Sequence, residues 1–138
     1  MTDKLIRGSC LCGAVEFAVP SGHGGFQYCH CSRCRKTSGS SHAANLVLPA
    51  EQFQWLRGED LVVQYAHEPA ERYCNAFCST CGSKLPWRTR NGKWFIVTAG
   101  SLDEDPDLRP ERNIFWGSRA PWYVSPEDLP LFDTIPGK

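Results

Sequence analysis

Apolar and polar positions alternate with a period of two over much of the chain. Val15, Phe17 and Val19 are separated by polar or small residues, the signature of a strand with one buried face. Short runs of the same kind follow over residues 44–48, 53–56, 61–65, 73–77, 85–88 and 94–99. Turn formers punctuate them: Gly22 to Gly25, Pro49, Arg57-Gly58, Glu68-Pro69 and Asn91-Gly92. The Asn91-Gly92 pair, between Trp87 and Trp94, predicts a two-residue hairpin turn. Short strands with turns every ~8–12 residues predict a mainly β fold, a sandwich or barrel-like one. Helix is scarce. One short helix is expected from Ser32, as its N-cap, towards Ser38, with Gly39 stopping it.

After Gly100 the texture changes. Asp103, Glu104, Asp105, Pro106, Asp107 and Pro110 read as an acidic, proline-punctuated surface loop. Residues 113–116 suit one more strand, and 120–130 an irregular tail packed back on the sheet through Trp122, Tyr123 and Leu129. No repeat, low-complexity tract or linker interrupts the pattern, so residues 1–138 are expected to form one domain.

Composition changes this picture at one point. The 15 Lys and Arg balance the 15 Asp and Glu, which removes the electrostatic reason to expect nucleic acid or an anionic membrane as partner. No apolar run approaches the ~18 residues that span a bilayer. Residues 1–7 hold no apolar stretch of the secretory kind, so a cytoplasmic location is expected. The anomaly is eight cysteines beside a single methionine. In a reducing compartment clustered cysteines serve as metal ligands more often than as disulfides. The spacing agrees: Cys10-x-Cys12, Cys29-x-Cys31-x-x-Cys34 and Cys78-x-x-Cys81 are close sets, not loop-closing pairs.

Cys10-Leu11-Cys12-Gly13 and Cys78-Ser79-Thr80-Cys81-Gly82 each end in glycine, which accepts the positive φ of a tight metal-binding turn. Together they supply four thiolates, a closed tetrahedral zinc site of structural type. Cys29, Cys31 and Cys34 supply only three, leaving a position open to a ligand. His30 alternates away from its cysteine neighbours in an extended segment, which makes it a surface imidazole or a support behind the ligands. Cys74 reads as a packed thiol, with a role as fourth ligand the alternative. Three thiolates on a divalent ion leave the site anionic and a poor activator of water. Such a site suits capture of a thiol, whose pKa coordination lowers.

These residues resemble a known family. The motifs are Gly8-Ser9-Cys10-x-Cys12-Gly13-x-Val15-x-Phe17, Cys29-His30-Cys31-x-x-Cys34-Arg35 and Phe77-Cys78-x-x-Cys81-Gly82-Ser83. With Ala99-Gly100-Ser101-Leu102-Asp103 and Ala120-Pro121-Trp122, they are similar to the glutathione-dependent formaldehyde-activating (centromere-protein-V-like) family, from about Gly8 to Pro130. The resemblance implies a β-tent fold of antiparallel sheets around a structural zinc. It implies a zinc-dependent carbon–sulfur lyase that joins glutathione and formaldehyde as S-hydroxymethylglutathione. It places Cys10, Cys12, Cys78 and Cys81 as structural ligands, and Cys29, Cys31 and Cys34 as ligands of a catalytic zinc. Asn113 departs from the histidine common in the family at that place, so that histidine's role is absent here.

Arg33, Arg35 and Lys36 flank the second cluster as candidate glutathione-binding cations, or else form a solvated basic turn. Thr37, Ser38, Ser40 and Ser41 offer hydrogen bonds to a ligand, or else a plain loop. The expected partners are a small thiol such as glutathione and a small aldehyde. A non-catalytic zinc module and a thiol or redox sensor are the alternatives.

Overall fold

The computed structural model describes residues 4–137. Among them, eleven strands form three sheets. The first pairs β1 (Leu5–Ser9), β2 (Glu16–Pro20) and β5 (Gln54–Arg57) in that order. The central sheet holds β3 (Gly25–Cys29), β4 (Ala43–Pro49), β9 (Trp87–Arg88), β10 (Trp94–Thr98) and β11 (Arg112–Ile114), ordered β11-β3-β4-β10-β9. The third pairs β6 (Val62–Ala66), β7 (Cys74–Cys78) and β8 (Lys84–Leu85). The pairings are antiparallel apart from β11, which runs parallel to β3 at the edge. One helix, α1 (Ser32–Ser38), follows β3. The fold is the mainly β architecture that the alternation calls for. No helix is long and apolar enough to cross a membrane among the described residues.

The core forms where the inward faces of the sheets meet: Ile6, Phe17 and Val19 from the first, Leu46, Leu48 and Val97 from the central one, and Ala76 and Leu85 from the third. Aromatic rings bind the first two sheets. Phe53 stacks on Phe95 at 3.9 Å between centroids and on Phe17 at 5.5 Å. Opposite Phe17 in the β1–β2 register stands Gly8, and the Phe17 ring occupies the space a side chain there would need. Gly8→Ala is therefore expected to destabilise the fold by about 1–3 kcal/mol, as overpacking does. Urea unfolding would register this as a lower midpoint at unchanged slope.

Two strands escape the alternation rule, and for physical reasons. On β1 the only large buried side chain is Ile6, since its inward partner is Gly8. On β3 the positions that alternate are Gln27 and Cys29, which face a cavity instead of the core. The N-cap of α1 is Cys31, one residue ahead of the expected Ser32, because its Sγ accepts the Cys34 N–H at 3.3 Å. Gly39 ends the helix in the left-handed conformation as expected.

The Asn91-Gly92 turn is longer than two residues. Thr89 N–H bonds to Trp94 O, so residues 90–93 form the loop, closed inside by Gly92 N–H to Thr89 O. The acidic loop ties down the first sheet: Asp103 accepts from Ser9 Oγ, Glu104 from the Arg7 N–H, and Asp107 from Ser21 Oγ. The last expected strand stops at Ile114, before Phe115 at φ 54°. The tail is less anchored than expected. Tyr123 packs inward on His30, but Trp122 and Leu129 are 66% and 51% exposed.

Candidate metal centres and the adjoining cavity

Cys10 and Cys12 sit in the tight turn between β1 and β2. Gly13 N–H closes that turn on Cys10 O, and Val15 N–H points at Cys10 Sγ from 3.3 Å. Cys78 and Cys81 sit in the equivalent turn after β7, closed by Gly82 N–H on Cys78 O. Both glycines carry the positive φ that the spacing anticipates, 79° and 76°. The four Sγ atoms lie within 4.8 Å of one another, with Cys10–Cys12 at 3.6 Å and Cys12–Cys78 at 4.0 Å. Tetrahedral zinc with Zn–S bonds of about 2.3 Å sets its sulfurs about 3.8 Å apart, so the set fits such an ion. The Ser83 hydroxyl, 3.2 Å from Cys81 Sγ, and then backbone N–H groups bring the Cys81 thiol down to about 5. One thiolate is thus available to a cation at neutral pH.

Cys29 ends β3, Cys31 caps α1 and Cys34 lies in its first turn. Their three Sγ atoms also fall within 4.8 Å of one another, and no fourth His, Cys, Asp or Glu donor joins them among the described residues. Hydrogen bonds from the Cys29 and Cys34 thiols, then from backbone N–H groups, push Cys31 down to about 2. Its neighbours move the other way: Cys29 is raised chiefly by Cys31, and Cys34 by Cys29, Cys31 and burial. The set gives up one proton readily and holds the others until a cation displaces them. Its donor chemistry fits a soft divalent ion.

His30 takes no part in the thiol cluster and is not a surface imidazole. It is fully buried, with Nε2 2.9 Å from Asn113 Oδ1 and its ring edge-on to Trp116 and Tyr123. Cys74 points inward from β7 beside Ala76 and Cys78, in the core and outside both clusters. Burial pushes its thiol up, which suits packing.

A cavity of about 890 Å³ opens beside Cys29, Cys31 and Cys34. Its floor is one face of the central sheet: Gln27 on β3, Asn45 and Val47 on β4, Ile96 on β10 and Trp87 on β9. Trp94, Phe115 and the Glu71–Arg72–Tyr73 segment wall it. Of the three flanking cations, Arg33 lines this cavity. Lys36 is exposed and Arg35 half-buried, and neither lines it. Thr37 Oγ1 lies 2.6 Å from the Tyr73 hydroxyl and accepts from Lys84 Nζ, which also bonds Asn75 Oδ1. Burial pulls Lys84 down, opposed by the nearby Cys34 and Cys31. Tyr73, Arg72 and Trp87 carried no functional sign in the sequence. Asn45 alone left a trace, a carboxamide in the middle of an apolar run.

The chain is similar to known proteins in sequence and fold. A crystal structure of a Rhodobacter sphaeroides protein superposes with a TM-score of 0.62 at 25% identity, covering 78% of this chain and 99% of its own. A Halomonas elongata protein, named as a candidate glutathione-dependent formaldehyde-activating enzyme, is 37% identical over 133 residues, 89% of this chain and 82% of its own length. The family model described as glutathione-dependent formaldehyde-activating enzyme matches residues 5–118. The chain therefore belongs to the glutathione-dependent formaldehyde-activating family.

Proposed function

We propose that both clusters hold zinc, and that the second is the reaction centre of a carbon–sulfur lyase in a one-domain protein. The reaction joins a small thiol to a small aldehyde, glutathione and formaldehyde in the type case. The sulfur–carbon bond forms at the carbonyl carbon, and the thiol proton ends on the carbonyl oxygen. One observation carries this reading: Cys29, Cys31 and Cys34 open onto a cavity large enough for a tripeptide, while the four-cysteine set is complete in itself. Zinc held there would offer its remaining position to a thiol and lower that thiol's pKa.

The chain's own residues supply the rest. Arg33 and Arg72 offer charge to glutathione carboxylates, and Glu71 to its ammonium. Arg35 and Lys36 lie off the lining and are given no part in this. Trp87, Trp94 and Ile96 exclude water from the ligand's stem.

The test is exchange spectroscopy by NMR on the zinc-loaded protein. Magnetisation transfer between glutathione and its hydroxymethyl adduct should exceed the uncatalysed rate. Absence of acceleration across glutathione, cysteine and coenzyme A would sink the lyase reading and leave a binding module or a thiol sensor.

A further inference from the structure

Asn45 stands at the centre of β4, 6% exposed, in a floor otherwise apolar on its own strand and towards Ile96 and Trp87. Its Oδ1 is buried and has no hydrogen-bond partner. The register sets it between Gln27 on β3 and Thr98 on β10, and neither side chain bonds its Oδ1. Gln27 Oε1 accepts from Arg112 Nη1, and Thr98 Oγ1 pairs with Ser101 Oγ at 2.8 Å. A buried acceptor left unmade costs stability, and here a leucine of similar size would remove the cost. Asn45 is a lining residue of the cavity beside the three thiols, and also of a second cavity beside Cys10. In the β3–β4 register Cys29 faces Ala43, two residues along the strand from Asn45. That is one same-face step, about 7 Å. A short polar arm on a ligand held at the thiols falls within reach of it.

We propose that Asn45 is a substrate-binding residue, its Oδ1 accepting a hydrogen bond from the hydroxyl of a thiol–aldehyde adduct. This rests on the lyase reading above and specifies it. The product class is a hemithioacetal with a free hydroxyl, recognised at the oxygen that was the aldehyde's. The amide N–H of glutathione is the other donor of the same chemistry, and the experiment tells the two apart.

Zinc-loaded wild type, Asn45→Leu and Asn45→Ala are compared in three measurements. The first is the thermal melt. Asn45→Leu should melt at or above wild type, because an unpaired buried acceptor has been removed. Asn45→Ala serves if the larger side chain is not accommodated. The second is glutathione affinity, read from the fluorescence of Trp87 and Trp94 in the cavity wall. It should stay within about twofold if the adduct hydroxyl is the donor. The third is the exchange rate, which should fall by about tenfold.

Equal losses in affinity and exchange would assign the bond to the thiol's amide and overturn the hydroxyl assignment. A lower melt with unchanged exchange would make Asn45 structural and overturn the proposal while leaving the lyase reading intact. Wild type without acceleration would instead overturn the lyase reading, and this inference with it.

Discussion

Stripping metal from the Cys10, Cys12, Cys78 and Cys81 set is expected to unfold the protein, not merely to silence it. The four thiols join the β1–β2 turn to the β7–β8 turn across a sequence separation of 66 residues between Cys12 and Cys78. A side-chain bond crosses the same junction, from Leu11 N–H to Ser83 Oγ, but it is exposed and so weak. Structural zinc contributes about 10–16 kcal/mol of apparent binding free energy, whereas a domain of this size is stable by about 5–15 kcal/mol. The ion's share is comparable to the whole. Excess strong chelator should therefore abolish the cooperative thermal transition and the near-ultraviolet dichroism of the packed tryptophans. Cys78→Ser should behave likewise without chelator, since Cys78 is fully buried in the main core. A chelated protein that kept its melting temperature within a few degrees would show that the sheets hold themselves together.

What the sequence displayed and what it hid divide along a physical line. The two glycine-closed turns are local, a few residues each, so spacing alone assigned the thiols to sets. Most strands that pack on the core were legible because each needs alternate apolar side chains, but β1, whose second inward residue is Gly8, was not. β3 was not, because its alternate face is Gln27 and Cys29, serving a cavity. The cavity itself is non-local: its floor comes from separate strands of the central sheet and its wall from the Glu71–Tyr73 segment. No window of the sequence contains it. His30 shows the same limit from the other side. Alternation turned it away from the cysteines but could not reveal that Asn113, 83 residues later, would meet it in the interior.

Cys31→Ser should give the opposite pattern to Cys78→Ser: a folded protein with half the metal and no activity. Serine is among the preferred N-cap residues, so its hydroxyl can take over the Cys34 N–H that Cys31 Sγ now accepts. The cluster of Cys29, Cys34 and Ala43 is small and separate from the main core, so little packing depends on it. The loss falls on the ligand set. Cys31 is the thiol most ready to be a thiolate, and its removal leaves only Cys29 and Cys34 as ligands. Two thiols bind a divalent ion far more weakly than three, because a ligand bond is lost and the metal keeps less of its binding free energy. Zinc by atomic emission should fall from two ions per chain to one, and thiol–aldehyde exchange by at least ~100-fold. The melt should move by no more than ~1 kcal/mol of stability. A Cys31→Ser protein that retained both ions would break the division into a closed set and an open one. A variant that lost one ion yet kept full exchange would place the chemistry away from the three thiols, and the lyase reading could not stand.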